Sequence, residues 1–399
     1  MTDTTPSSTA DRDLVALILL WLAGTGLRIT LLAVPPVIPL IHSELHLTET
    51  EIGTLGTLPS LLLAAVAIPG SALIARFGAR AALMIGLLLV GFGSAARGAA
   101  IDIGTLYLTT IITAAGVAIM QPSMPPLVRS WLPHRVPVAT AVYTNGLLVG
   151  ETLAVGLTLP VVMPLAGGSW RLSFVYWGVP AIVTALLIFF FSPRREPQIS
   201  AAAPRRWWPN WKDKQMWRLA LCLGCINTCY FATNIFLPDY LTAVGHSDLI
   251  SAALTSLNFC QLPASFVMLG MAPRLVRVPA AYVTVGVLNL IGVIGMATMP
   301  GWPVTAWAGL LGFADAVGLI LVLALPPLLS APEDVHRLAS AMFTISYPCA
   351  VLTSVLSGYL WDMTQISWIA FVPIGLAAAA LAILPLGIDL HTKPHAAPP

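Results

Sequence analysis

The sequence predicts an all-α membrane protein with twelve transmembrane helices in two bundles of six. Composition is the first reason: 9% of the 399 residues are charged and 57% are hydrophobic, whereas an ordinary soluble domain carries about 25% charged residues. The second reason is that the apolar residues form runs long enough to cross a bilayer, which takes about 20 residues of α-helix. These runs far exceed the ~10 residues of a barrel strand, so helices are the expected spanning element.

Twelve apolar runs follow one another along the chain, and a segment rich in proline, tryptophan and basic residues separates the sixth from the seventh. We therefore expect an N-terminal bundle at 1–191, a cytoplasmic linker at 192–215 and a C-terminal bundle at 216–399. The predicted spans are 14–41, 52–75, 81–100, 104–127, 136–163, 173–191, 216–241, 249–271, 279–299, 303–329, 338–361 and 366–388.

Short motifs recur at similar places in the two halves. PPLV at 125–128 has a counterpart in PPLL at 326–329, and GSALIAR after the second run has one in GMAPRLVR after the eighth. The steady offset indicates a duplication of six helices. Two such repeats predict a secondary transporter that works by alternating access, with the substrate bound near the middle of the membrane between the repeats.

Basic residues indicate the orientation, because cytoplasmic segments of membrane proteins are enriched in Lys and Arg. With the N-terminus in the cytoplasm, Arg28 lies within a span and Arg97 and Arg171 fall in outer segments. All the others of the 19 Lys and Arg fall in inner segments. We therefore expect a bacterial inner-membrane protein with both termini in the cytoplasm.

Arg28 is a cation near the middle of the first run, LVALILLWLAGTGLRITLLAVPPVIPLI. An arginine at that depth costs about 2.5 to 3.5 kcal/mol on insertion scales. Such a charge normally faces the protein interior or a water-filled cavity, so we expect Arg28 to bind an anion or a strongly polar solute. The alternative is a structural arginine that pairs with a buried acid or with carbonyl groups.

Three segments carry a family resemblance: GLRITLLAVPPVIPLI in the first run, GVAIMQPSMPPLVRSWLPHR from the fourth into the fifth, and GCINTCYFATNIFLPDYL in the seventh. They resemble the cyanate and 2-nitroimidazole porter family of the major facilitator superfamily. The family pattern carries over at Arg28, Gln121, Pro125 and Asn227. The resemblance implies transport of a small anion, or of a small planar polar solute such as a nitro-heterocycle.

The resemblance also implies a gating loop after the second run, formed by Arg76, Gly78 and Arg80. The superfamily pattern there reads Gly-x-Leu-x-Asp-Arg-x-Gly-Arg. In this chain Ser71 stands in the first Gly slot and Ala75 in the Asp slot. The missing acid argues against the usual ion-pair latch.

Polar side chains recur at helical spacing in several runs, where residues three, four or seven apart share a face. The resemblance implies that the first, fourth, seventh and tenth runs line a cavity, with the second, fifth, eighth and eleventh beside them. The alternative role of each residue is an interhelical hydrogen bond, worth about 0.6 kcal/mol on average in membranes. Together with Arg28, the predicted substrate-binding residues are Gln121, Tyr143, Asn145, Asn227, Tyr230, Asn234, Asn258, Gln261 and Tyr347.

Two acids lie within predicted spans, Glu151 in the fifth and Asp315 in the tenth. Intramembrane carboxyl groups commonly take part in proton relays. We therefore expect one or both to exchange a proton during each transport cycle. The alternative is that one of them is the permanent counter-ion of Arg28.

Cys222, Cys225 and Cys229 share one face of the seventh run, and Met120 and Met124 lie in the fourth. Soft sulfur ligands suit Cu(I), so a copper importer is an alternative function. Ordinary packing by small or flexible side chains explains the same residues. The chain lacks a dense set of His and Cys, and a copper site would leave Arg28 unexplained, so no metal site is expected.

The sequence gives little support for other classes of function. No Gly-x-x-x-x-Gly-Lys phosphate loop and no catalytic constellation occurs, so neither an enzyme nor a nucleotide or other cofactor is expected. A non-transporting membrane sensor is a further alternative, but the tail after Leu390, HTKPHAAPP, adds no signalling domain. We expect a monomer whose partners are a small solute, the lipid bilayer and protons, with no nucleic acid.

Overall fold

The computed structural model describes residues 7–193 and 206–390, and it is helical throughout, with no strand in those ranges. Twelve helical segments within them are long and apolar enough to cross a membrane. The predicted spans agree with these segments to within about four residues at each end. The segments are α1 (Ala10–Leu45), α2 (Glu49–Phe77), α3 (Ala79–Arg97), α4 (Ile103–Trp131), α5 (Val136–Leu165), α6 (Trp170–Phe191), α7 (Lys214–Ala243), α8 (Ser247–Leu275), α9 (Pro279–Thr298), α10 (Pro303–Leu329), α11 (Val335–Thr364) and α12 (Ser367–Gly387).

Contacts divide the chain into two compact units. The first comprises Met1–Pro209 and Ser330–Ser340, and the second comprises Asn210–Leu329 and Ala341–Pro399. Ser330–Ser340 groups with the first unit because Arg129 donates to the Ser330 carbonyl and Arg337 Nε donates to the Trp208 carbonyl at 2.8 Å. Of the linker predicted at 192–215, residues 194–205 lie outside the described residues.

Two breaks divide α1 into shorter helices. A helix ends at Gly26, a four-residue helix covers Ile29–Leu32, a 3-10 turn covers Pro35–Val37, and a last helix covers Ile38–Leu45. At the first break the amides of Leu27 and Arg28 bond to carbonyls three residues back instead of four. At the second break Pro35 and Pro36 supply no N–H, so the regular ladder cannot continue.

Glycines allow α1 and α5 to pack backbone against backbone. A Cβ at Gly24 would overlap the Tyr143 carbonyl, one at Gly146 would overlap the Trp21 carbonyl, and one at Gly150 would lie 2.6 Å from the Thr25 carbonyl oxygen. Small residues at membrane helix contacts permit this close approach, which gains van der Waals packing. The contact fixes which face of α5 meets the stretch of α1 just before its first break.

Three more spans are irregular. A π-helical turn covers Thr158–Val162 in α5, α8 is interrupted at Cys260, and α10 is interrupted at Ala324 before the Pro326–Pro327 pair. Prolines and π-turns free backbone groups from the regular ladder, and such interruptions recur where membrane transporters bind solutes and ions.

Capping residues in two short connections mark where the next helix begins. Thr48 and Glu51 form a reciprocal capping box at the start of α2, and Asp102 and Thr105 form one at the start of α4. The hydrogen bonds from the Thr105 backbone amide and hydroxyl hold the pKa of Asp102 below its ordinary value. Arg97, expected in an outer segment, is the last residue of α3 and is fully buried.

Candidate functional site

Arg28 lies at the first break of α1 and is the N-cap residue of the short helix Ile29–Leu32. Its side chain is half-buried, and its backbone carbonyl accepts hydrogen bonds from the Leu31 and Leu32 amides at 3.1 and 2.9 Å. A guanidinium group at an interrupted span combines a fixed positive charge with irregular backbone. This combination is typical of an intramembrane solute site.

Two predicted substrate-binding residues of α5, Tyr143 and Asn145, contact α1. Trp21 Nε1 donates to Asn145 Oδ1 at 2.9 Å, and Tyr143 is 2% exposed with its carbonyl against Gly24. The structure therefore brings Asn145 and Tyr143 to the helix that carries Arg28, as a packed contact surface. A substrate role for these two residues remains a prediction.

Glu151 and Gln121 are buried polar side chains of the first unit, 8% and 5% exposed. Glu151 follows Gly150, which packs on Thr25 only three residues before Arg28. Residue 151 is therefore next in the chain to a point where α5 packs on α1. Gln121 lies in the middle of α4, immediately before Pro122, where a proline removes one backbone hydrogen bond from the helix.

Three residues of the second unit that were predicted from two separate spans form one hydrogen-bond network. Tyr230 Oη donates to Asn258 Oδ1 at 2.7 Å, Asn258 Nδ2 donates to Asn234 Oδ1 at 3.1 Å, and Asn234 Nδ2 donates to the Tyr230 carbonyl at 2.9 Å. We call Tyr230, Asn234 and Asn258 the amide network. Its member on α8, Asn258, lies two residues before the interruption of that span at Cys260. All three side chains are half-buried.

The remaining predicted binding residues of the second unit are more enclosed. Asn227 is 9% exposed and Gln261 is 5% exposed. Tyr347 is 2% exposed and stacks on Phe343 with ring centroids 6.4 Å apart. These residues lie on α7, α8 and α11 respectively, and their part in binding remains a prediction.

Asp315 is the buried acid of α10, 2% exposed, and neither of its carboxyl oxygens has a hydrogen-bond partner among the described residues. The side chain of Asn289 on α9 faces it, and Asn289 Oδ1 is likewise buried without a partner. Asn289 was not predicted, because a single Asn in an apolar run gives no sign of the acid it faces. The Asn289 amide can donate an N–H to an ionised Asp315 or accept from a protonated one, so the pair is compatible with either state of the carboxyl group.

The predicted gating residues surround the connection between α2 and α3. Arg76 is exposed and lies over the Phe77 ring, Gly78 has a φ of 85°, and Arg80 donates to the carbonyls of Ile188 and Phe189 at 3.2 and 2.7 Å. The left-handed backbone at Gly78 is one that glycine adopts without strain.

Ser71, which stands in the first Gly slot of the gating pattern, donates from Oγ to the Trp207 carbonyl at 2.8 Å. Arg337 bonds the adjoining Trp208 carbonyl. Two side chains therefore hold the same stretch of the connecting segment within the first unit. The superfamily pattern could not predict this contact, because the pattern has no hydroxyl at that slot.

Two cysteines of α7 are enclosed in the helix packing of the second unit. Cys222 and Cys229 are fully buried, and Cys229 Sγ approaches the Ile374 carbonyl at 4.0 Å. The described residues contain no group of three or more His, Cys, Asp or Glu side chains placed to hold a metal ion. No observation supports the copper importer, and none supports the sensor.

In the described part of the chain, twelve helices are long and apolar enough to span a membrane, and one of them carries a cation at a break, as is typical of membrane transporters. The sequence matches the family model of the Major Facilitator Superfamily over residues 16–347. The chain belongs to this superfamily, whose activity is transport rather than catalysis. The resemblance that the sequence showed is thereby confirmed at the level of the superfamily.

Curated relatives resemble the chain over most of its length. The uncharacterized transporter YycB of Bacillus subtilis (strain 168) is 26% identical over 362 residues, covering 90% of this chain and 89% of its own. The 2-nitroimidazole transporter of Escherichia coli (strain K12) is 25% identical, covering 85% and 86%. The cyanate transport protein CynX of the same organism is also 25% identical, covering 93% and 97%.

Solved structures share the fold. A crystal structure of the transporter FucP in the outward conformation superposes with a TM-score of 0.73 at 14% identity, covering 94% of this chain and 99% of that one. Together with the helices described above, this similarity confirms the predicted twelve-helix fold.

Proposed function

We propose that this protein is a secondary transporter of a small planar or linear monovalent anion, bound at Arg28. The position of Arg28 carries the proposal: a half-buried guanidinium at the break of α1. Arginine presents several N–H donors in one plane, which suits a small delocalised anion better than the point charge of lysine does. Cyanate is our probe for this class, because a cyanate transport protein is among the relatives.

A neutral planar solute with a nitro group is the second candidate. A nitro group presents two acceptor oxygens to the same guanidinium, and one relative is a 2-nitroimidazole transporter. Considered by itself, the amide network of the second unit presents neutral donors and acceptors, the groups that match the edge of a heterocycle. Gln121 and Asn227, in the regions that resemble the family, are the next polar groups that we assign to binding.

Proton coupling accompanies anion transport in this proposal. The membrane potential acts on a moving anion with about 2.3 kcal/mol per charge per 100 mV. Movement of one proton with each anion cancels the charge, so the potential no longer opposes entry. We assign the proton to Asp315, because its buried carboxyl oxygens lack hydrogen-bond partners among the described residues. Glu151, the other buried acid within a span, is the second candidate for the proton site.

The proposal also covers the orientation of the chain in the membrane, its oligomeric state and the membrane in which it lies. We place both termini in the cytoplasm of a bacterium and the chain in the inner membrane, because basic residues cluster in the segments that this orientation puts inside. The protein works as a monomer, since one chain carries both units of six spans. Alternating access, the mechanism typical of paired repeats, moves the solute.

Ligand-induced thermal stabilisation tests the assignment of Arg28, since a ligand of the native state raises the melting temperature. We expect cyanate to stabilise the purified protein and Arg28→Ala to weaken cyanate binding by about 10- to 100-fold, the loss of one charge-assisted hydrogen bond. The matched control is Arg274→Ala, which removes an exposed arginine and should leave cyanate binding unchanged.

Two results would contradict the proposed function. One is equal stabilisation by cyanate in the parent and in a folded Arg28→Ala variant. The other is stabilisation by Cu(I) and by neither cyanate nor 2-nitroimidazole. Stabilisation by 2-nitroimidazole alone, lost in Arg28→Ala, would select the second candidate.

A further inference from the structure

Arg97 is a second arginine inside the first unit, and the transport proposal gives it no role. It ends α3, and its side chain is 0% exposed. Nη1 donates to the Thr30 carbonyl at 2.8 Å and Nε donates to Thr110 Oγ1 at 3.2 Å. The guanidinium also lies 5.7 Å from the centre of the Phe174 ring. Burying a cation costs desolvation free energy, and neither of these hydrogen-bond partners is a carboxylate. The burial of Arg97 therefore requires a specific explanation.

The Thr30 carbonyl is a backbone acceptor that the second break of α1 leaves without its helical partner. In a regular helix it would accept from the Val34 amide, but that amide bonds the Leu31 carbonyl at 3.4 Å. The next residue, Pro35, has no N–H to offer. A freed carbonyl within a membrane span needs another donor. Arg97 supplies that donor from a neighbouring helix.

The bonded carbonyl belongs to the four-residue helix that begins directly after Arg28. This helix, Ile29–Leu32, is interrupted at both ends, so its own hydrogen bonds do little to fix its position. An isolated turn of helix is unstable because nucleation is unfavourable. Contacts from outside α1 must therefore determine where the turn lies and where Arg28 points.

We propose that Arg97 is a positioning residue for solute binding: it holds the turn Ile29–Leu32 in place and so fixes the guanidinium of Arg28. Arginine suits this task because its rigid fork bonds two partners at once, here a carbonyl and a hydroxyl. Lysine would keep the charge but replace the fork with a single ammonium group. This inference rests on the proposed role of Arg28 in binding.

Hydrogen–deuterium exchange of the full-length protein tests the structural half of the inference without any substrate. In Arg97→Met we expect the backbone amides within residues 29–37, Pro35 and Pro36 excepted, to exchange about 10- to 100-fold faster, because the hydrogen bond that is lost involves a charged group. The control is Arg277→Met, which removes an arginine that donates to the Leu390 carbonyl at 2.7 Å in the second unit. It should leave exchange at 29–37 unchanged.

Cyanate uptake into proteoliposomes tests the functional half. We expect Arg97→Met to raise the KM for cyanate about tenfold at temperatures well below its melting temperature, while Arg277→Met keeps the parental KM. Arg97→Lys should restore part of both properties, and it decides the question if Arg97→Met does not fold. For Arg97→Lys we expect both the exchange rate at 29–37 and the KM for cyanate to lie between the values of the parent and those of Arg97→Met.

Two outcomes overturn the inference: parental exchange at 29–37 in folded Arg97→Met and Arg97→Lys, or faster exchange with a parental KM for cyanate. Failure of the transport proposal is distinguishable, because cyanate would then stabilise Arg28→Ala as much as the parent, or would stabilise neither. The exchange measurement would still report on Arg97, since it uses no solute.

Discussion

Asp315 and Asn289 face one another in the interior of the second unit, and each presents oxygen atoms without a hydrogen-bond partner among the described residues. An ionised carboxylate in such surroundings is unfavourable, whereas a protonated one can donate to the Asn289 carbonyl oxygen. This pair is the observation on which the proposed proton site at Asp315 rests.

Asp315→Asn removes this proton site and nearly conserves size. One pH unit across the membrane corresponds to about 1.4 kcal/mol, enough for tenfold accumulation of an anion that moves with one proton. We expect the parent to accumulate cyanate when a pH gradient is imposed on proteoliposomes, and Asp315→Asn to exchange cyanate without accumulating it. The exposed Asp248→Asn serves as control. Gradient-driven accumulation that persists in Asp315→Asn would rule out the assignment.

At the scale of elements, the most informative contact is between α1 and α5. Gly24, Gly146 and Gly150 bring the two backbones together, and the Trp21–Asn145 hydrogen bond lies beside them at 2.9 Å. The glycines are visible in the sequence, but which helix each of them meets is not. The breaks of α1 lie just beyond this contact, so the packed part of α1 anchors the irregular part that carries Arg28.

Gly146→Ala and Gly156→Ala form a matched pair within α5. A Cβ at residue 146 would overlap the Trp21 carbonyl, whereas one at residue 156 would meet nothing within 4 Å. We expect Gly146→Ala to lower the melting temperature by several degrees, as overpacking costs about 1–3 kcal/mol. Gly156→Ala should leave it unchanged or raise it slightly, since alanine is the better helix former. Equal melting temperatures for the two variants would contradict this account of the α1–α5 contact.

For the molecule as a whole, the distribution of Lys and Arg predicts the orientation in the membrane. Arg97 was counted as an outer residue, but the structure buries it. Arg171, the other cation assigned outside, bonds Glu44 at 2.9 Å. The other basic residues outside the spans still predict that both termini lie in the cytoplasm.

Reporter fusions at the C-terminus measure that orientation. We expect a green fluorescent protein fused after Pro399 to fluoresce in cells and an alkaline phosphatase at the same position to be inactive, because the phosphatase folds only where disulfides can form. A fusion after residue 100, in the predicted outer connection, should give the reverse result. Active phosphatase at the C-terminus would refute the predicted orientation.

Composition and run length determined the class of protein, the number of spans and their limits, because a bilayer demands about 20 apolar residues per helix whatever the packing. Arg28 and Asp315 could also be singled out, since an ionisable group in an apolar run is conspicuous. Only the tertiary structure showed that Arg97 bonds the Thr30 carbonyl, that Asn289 faces Asp315 and that Tyr230, Asn234 and Asn258 form one network. These contacts join different helices, and helical periodicity specifies which residues share a face but not which neighbour that face meets.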